Sequence, residues 1–233
     1  MTPDARPAAA PRFTTALLAA GVAAGLLIST VSLILAFTRP GFDLTRHANS
    51  TLALGDWGWV QTTNFIVSGL LLMAFGAGIW RASPGVLSGR VAAVCVMLYG
   101  LSAGVVAGLN PTDPAFGFPP DAPQGYPGVD VMSTSAKIHG VAGGLGFLAM
   151  TCGCFVLARY FASIGDRVWA VMSAATGVAI LAVLAYMGAG AAAQPETFNY
   201  VPVWVVGAML WLFIAAVGAR LLRSHRDAHI GAR

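Results

Sequence analysis

The sequence predicts an all-α fold, a six-transmembrane-helix bundle with both termini cytoplasmic and ordered external loops 1 and 3. Three observations carry that expectation. Apolar residues make up 57% of the 233 and charged residues 9%, where soluble domains carry roughly 25% charge. Six apolar runs are each long enough to cross a hydrocarbon layer of about 30 Å. Folding the chain at those runs also sorts its charges. Arg6, Arg12, Arg81, Arg90, Arg159, Arg167, Arg220, Arg223, Arg226 and Arg233 fall on one side, leaving Arg39, Arg46 and Lys137 with six of the nine acids on the other. Basic residues in short loops resist translocation, so the Arg-rich side is expected in the cytoplasm.

Residues 1–12 combine Pro, Ala and two arginines and read as a disordered cytoplasmic tail. Residues 13–37 form the first span; the run exceeds a signal-peptide core, and no A-x-A-like cleavage site follows it. Residues 61–80 form the second span, ending at Arg81, and residues 91–109 the third, entered from Arg90. The fourth, fifth and sixth spans cover residues 138–161, 168–191 and 203–222, within a transmembrane domain of residues 13–222. Residues 223–233 form a basic tail. Trp57, Trp59, Trp80, Trp169 and Trp204 fall near span ends, where indole rings favour the headgroup zone. Gly100, Gly104 and Gly108, Gly140 and Gly144, and Gly21 and Gly25 recur at four-residue spacing. Such stripes let helix backbones approach closely.

The cysteines, Cys95, Cys152 and Cys154, lie within apolar runs and offer no disulfide framework. Cys152 and Cys154 are two positions apart on a helix, roughly 200° around it, so their thiols point in different directions. Basic residues are scattered over loops without an aromatic-interleaved stripe, which excludes a nucleic-acid partner. No acid or base runs through the bilayer centre, which weighs against a proton-coupled transporter or a charge-lined ion pore. Haem ligation would need a second histidine on another span, and His139 is alone there.

The chemistry gathers in two external loops. In residues 38–60, Asp43 is expected to cap a short helix over 44–54 that Gly55 stops. Asp43, His47, Ser50 and Thr51 would then share one face. A carboxylate, an imidazole and a hydroxyl together are the minimum for proton transfer or nucleophile activation. Residues 110–137 carry six prolines, which favour extended turns over regular structure. Asp113 would face Lys137 or His139 across the bundle mouth. His139 stands at the start of the fourth span, and ionisable groups there are functional candidates. Asp43, His47, Asp113 and His139 also have ligand types suited to a metal, without a diagnostic spacing.

Five stretches carry a resemblance: R-P-G-F-D at 39–43, R-H-A-N-S-T-L-A-L-G at 46–55, W-V-Q-T-T-N-F at 59–65, N-P-T-D-P-A-F-G-F-P at 110–119 and S-T-S-A-K-I-H-G at 133–140. In these the chain resembles the bacterial and archaeal integral membrane family catalogued as domain-of-unknown-function 998. The resemblance extends over about residues 14–222 and implies a six-helix membrane fold, with no substrate, cofactor or catalytic residue attached. The expected role is a multi-pass protein of the cell inner (plasma) membrane, in contact with membrane lipids, that binds a lipid or protein partner through an outward-facing polar mouth. An alternative is an outer-leaflet lipid hydrolase or transferase using Asp43, His47, Ser50, Asp113 and His139. Small-solute transport is a third. Cofactor and oligomeric state stay open.

The charge asymmetry makes a direct prediction. Reporter tags at either terminus should both score as cytoplasmic, and a cysteine placed at Asp121 should label from outside intact cells. Termini found on opposite faces would overturn the six-span reading.

Overall fold

The computed structural model describes residues 9–128, 130–193 and 195–230. Six long helices follow one another: α1 Ala9–Thr38, α2 Gly58–Ala82, α3 Leu87–Leu109, α4 Thr134–Ser163, α5 Arg167–Ala193 and α6 Val201–Ile230. All six are long and apolar enough to span a membrane, and no β-strand occurs among the described residues. Large apolar side chains such as Leu26, Ile34, Leu70, Leu98, Leu145 and Val171 are exposed on the bundle surface. That arrangement is stable only where the solvent is lipid.

The helices overrun the apolar segments that predict them. α1 begins at Ala9 rather than after Arg12, and α6 continues through Arg223 and Arg226 to Ile230. Arg and Ala are good helix formers, and nothing in either flank breaks the hydrogen-bond ladder. The expected disorder of residues 1–8, and the last three residues of the basic tail, lie outside the described residues.

The six helices form a closed ring in chain order, α6 returning to pack against α1, with the sparsest joint between α5 and α6. α1 and α6 run antiparallel, since Gly218 meets Gly21 and Val22 while Gly25 meets Trp211 and Ala215. Both described chain ends therefore lie at one end of the bundle, here called the terminal end. Two polar contacts fasten it: Arg81 donates to Thr14 Oγ1 at 3.1 Å, and Arg220 pairs with Asp166 at 2.7 Å. The opposite, capped end carries the two long loops.

Glycine spacing turns out to mean two different things. A Cβ on Gly69 of α2 would lie 2.5 Å from Gly100 O, and one on Gly104 would lie 2.5 Å from Gly69 Cα. Gly108 likewise meets Phe65 and Ile66. Along this seam α3 widens into a π-helix over Gly100–Val106. The Ser102 hydroxyl reaches across to Ala142 O on α4 at 2.6 Å. Gly140 and Gly144 of α4 do the opposite of what their spacing suggests. Neither they nor Gly143 would meet any atom within 4 Å of an added Cβ. They face open space.

The first loop departs from expectation. In place of a helix over 44–54 there is a turn at 44–46 and a short 3-10 helix, Asn49–Ala53. Asp43 turns its carboxylate onto Thr45, accepting from Thr45 N at 2.8 Å and Thr45 Oγ1 at 2.7 Å. That local bond competes with helix winding. Gly55 does end the segment, at φ +70°. Trp204 is a second departure. Rather than sitting at the interface it is 7% exposed, its indole N–H donating to His47 O at 2.9 Å.

The two glycine environments predict opposite responses. Gly104→Leu should destabilise the purified protein by about 2–3 kcal/mol, since overpacking a tight contact forces backbone shifts. Gly144→Ala should stay within about 0.5 kcal/mol of the parent. Thermal unfolding in detergent, followed by tryptophan fluorescence, checks both.

Candidate functional site

The capped end is organised around His47, which is 2% exposed. Its Nδ1 accepts from the Asp43 backbone N–H at 2.9 Å and so carries no proton. Its Nε2 lies 3.1 Å from Phe116 O, and a carbonyl only accepts, so Nε2 carries the proton. The ring is a neutral imidazole of fixed tautomer with both nitrogens committed. It packs between the rings of Phe42 and Phe118, at 5.2 and 5.3 Å between centroids. Burial pushes its pKa below the ordinary histidine value, outweighing the Phe116 carbonyl and Asp43, which push it up.

Around this ring the loops are tied together. Arg39 donates to Leu52 O at 2.9 Å and Leu54 O at 2.8 Å, with its guanidinium 5.0 Å from the Phe118 ring centroid. Desolvation lowers the Arg39 pKa, with Asp56 acting the other way. Tyr200 N donates to Thr45 O at 2.8 Å, drawing the start of α6 under the first loop. Asp43 is held below the usual carboxylate range chiefly by the Thr45 hydroxyl and N–H. It touches His47 through its backbone, so its carboxylate does not orient the ring.

Beneath this cap, all six helices surround a cavity of about 330 Å³. Its floor is formed by Leu72, Tyr99, Phe147, Ile180 and Trp211, close to the midpoints of their helices. The wall on α4 is the bare backbone of Gly140, Gly143 and Gly144. At the capped end the lining becomes polar, with Asn49, Ser50 and His139. No Asp, Glu, Lys or Arg lines the space.

His139 differs from His47 in what it leaves free. Its Nδ1 lies 2.9 Å from both Ala107 O and Asn110 O, so Nδ1 carries the proton and holds the last carbonyls of α3. Nε2 makes no hydrogen bond among the described residues. Ser50 and His139 thus share the cavity, while Asp43 and His47 belong to the cap. Asp113 accepts from Ser133 N at 2.8 Å, fixing the root of the second loop at the α4 N-terminus rather than facing Lys137 or His139. Among the described residues no three His, Cys, Asp or Glu side chains gather as metal donors. Cys152 is exposed and Cys154 buried, as their angular separation requires.

A buried polar ladder escaped the sequence reading. Gln61, fully buried, donates to Ser32 Oγ at 3.0 Å and to Asn49 Oδ1 at 3.1 Å. Asn64 donates to Gln61 Oε1 at 3.2 Å, and Ser68 donates to Asn64 Oδ1 at 3.4 Å. The ladder joins α1 to α2 and connects the first loop to Ser68 on the cavity wall. The signal was present: Gln61, Asn64 and Ser68 are three and four residues apart and share a helix face.

A ring of six apolar helices, belted by lipid-facing side chains and closed at one end by a tied cap, defines a multi-pass integral membrane protein. Within that class the chain belongs to the family described as "Protein of unknown function (DUF998)", whose model matches residues 22–221. No curated protein and no solved structure matches the chain.

His47 yields a paired prediction. His47→Ala strands the Asp43 N–H and the Phe116 carbonyl beside a void and should cost about 2–4 kcal/mol. Because the folded pKa lies below the unfolded value of about 6.5, the unfolded chain binds more protons under acid. Stability is therefore full above that value and falls as pH drops through it. Melting temperature should decline between pH 7.5 and 5.5, and His47→Gln, which cannot charge, should flatten the decline. Identical profiles for the two proteins would count against His47 as the titrating group.

Proposed function

We propose that this protein binds a membrane lipid, taking its acyl chain into the bundle beneath the cap. The carrying observation is the cavity of about 330 Å³ that reaches from the polar capped end to mid-bundle. That volume lies at the lower end of the range for ligand sites, and an apolar wall with a few convergent polar groups is their usual composition. On the charge asymmetry, the capped end faces outward from the plasma membrane, so the ligand comes from the outer leaflet. The three glycines of α4 support the reading, since a helix that needs no side chains for packing there can offer a smooth surface to a chain.

The outer-leaflet enzyme reading loses its proposed base and orienting group, because His47 has no free nitrogen and the Asp43 carboxylate serves Thr45. One observation keeps a reduced form of it open: Ser50 and His139 line the same cavity, as a hydroxyl and an imidazole whose Nε2 has no hydrogen-bond partner among the described residues. Hydrolysis of a bound ester by the wild type, abolished in Ser50→Ala, would establish it. Small-solute transport gains nothing from the cavity, whose floor is packed with aromatic and aliphatic side chains.

Binding is tested by filling the space. Protein purified in mild detergent should retain co-extracted lipid detectable by mass spectrometry. Gly144→Phe, built into open space, should remove most of that lipid while leaving the melting temperature within a few degrees. Unchanged lipid in a well-folded Gly144→Phe protein would sink the proposal.

A further inference from the structure

The chemistry of the cavity's polar, capped end narrows the ligand further than its volume does. Three polar groups there have hydrogen-bonding capacity left. His139 Nδ1 is engaged by two carbonyls and Nε2 is unbonded, so in the neutral imidazole Nε2 accepts. Asn49 gives its Oδ1 to Gln61, so its NH2 remains as a donor. The Ser50 hydroxyl makes no bond among the described residues and serves either way. No Asp, Glu, Lys or Arg side chain lines the cavity, and the charged groups closest in sequence have contacts of their own. Arg39 is bound to the Leu52 and Leu54 carbonyls, Arg46 stacks 5.5 Å from the Phe116 ring, and Asp113 holds Ser133 N. Lys137 is exposed and sits two positions from His139, roughly 200° around α4.

A phosphate, carboxylate or ammonium head brought to this end would meet no Asp, Glu, Lys or Arg on the cavity wall, and an unpaired charge out of water is far more costly than an unpaired hydroxyl. A hydroxyl-bearing head fits instead: it donates to His139 Nε2 and accepts from Asn49 or Ser50. The space below, at the low end of ligand-site volumes, favours one chain over two. We infer that the cavity selects an uncharged, single-chain lipid with a hydroxyl head, such as a monoacylglycerol or a long-chain alcohol, held by His139, Asn49 and Ser50. The inference rests on the lipid-binding reading and adds the class of lipid.

The experiment compares two probes that share a chain. Wild-type protein transferred to amphipol is titrated with monooleoylglycerol and, separately, with oleoyl-lysophosphatidylglycerol, and occupancy is read by native mass spectrometry. The neutral lipid should bind at least about tenfold more tightly. His139→Leu should weaken monooleoylglycerol by about tenfold, as expected for a buried donor left without its acceptor, and leave the anionic lipid unchanged. Should that variant fold poorly, Ser50→Ala carries the same comparison with a loss of about threefold. Free glycerol in excess should not displace the neutral lipid. Equal binding of the two lipids or preference for the anionic one overturns the head-group assignment and leaves lipid binding intact, whereas displacement by glycerol overturns the part given to the chain. Failure of both lipids to bind a protein that melts normally overturns the inference and the lipid-binding reading together.

Discussion

Polar groups inside a bilayer have no water to fall back on, and most of this structure follows from how that demand is met. The backbone satisfies itself by winding into six helices. The buried polar side chains within the spans bond to one another or to a carbonyl, as Ser29, Thr151 and Ser173 do one turn back and Ser102 does across to Ala142 O. The ladder from Ser68 through Asn64 and Gln61 to Ser32 and Asn49 is the extended case. Such bonds contribute modestly each, on the order of 1 kcal/mol in membranes. Their larger effect is geometric: they set the rotation of α2 against α1 and anchor the first loop to the bundle.

The two histidines show how environment divides one residue type into two roles. His47 meets backbone partners on both nitrogens and two phenyl rings on its faces, which leaves it no chemistry except cohesion. His139, which lines the cavity, uses one nitrogen to finish α3 and leaves the other without a hydrogen bond among the described residues. Sequence assigned both to one catalytic group because both stand near the same membrane edge. Proximity along a surface says nothing of which atoms are already engaged.

The helices were legible because apolar length and charge sign are properties of contiguous residues. What failed were inferences that depend on partners far along the chain. The 44–54 segment has helical spacing, yet Thr45 beside Asp43, and Arg39 reaching for Leu52 and Leu54, give its backbone other bonds. Trp204 looked interfacial until His47 O, 157 residues earlier, claimed its N–H. The glycine stripes are the sharpest instance. Gly100 and Gly104 press on Gly69, whereas Gly140 and Gly144 at the same spacing press on nothing. Periodicity fixes which residues share a face; only the fold decides what stands opposite.

The wide winding at Gly100–Val106 bears on the lip of the cavity. A π-turn accommodates more residues in each revolution than an α-turn, so it alters the azimuth at which every later residue of α3 emerges. Ala107 and Asn110, whose carbonyls grip His139, come directly after it. The direction in which that imidazole points is therefore tuned by a swelling in a neighbouring coil, and a one-residue change in the length of this stretch would swing the ring without touching α4.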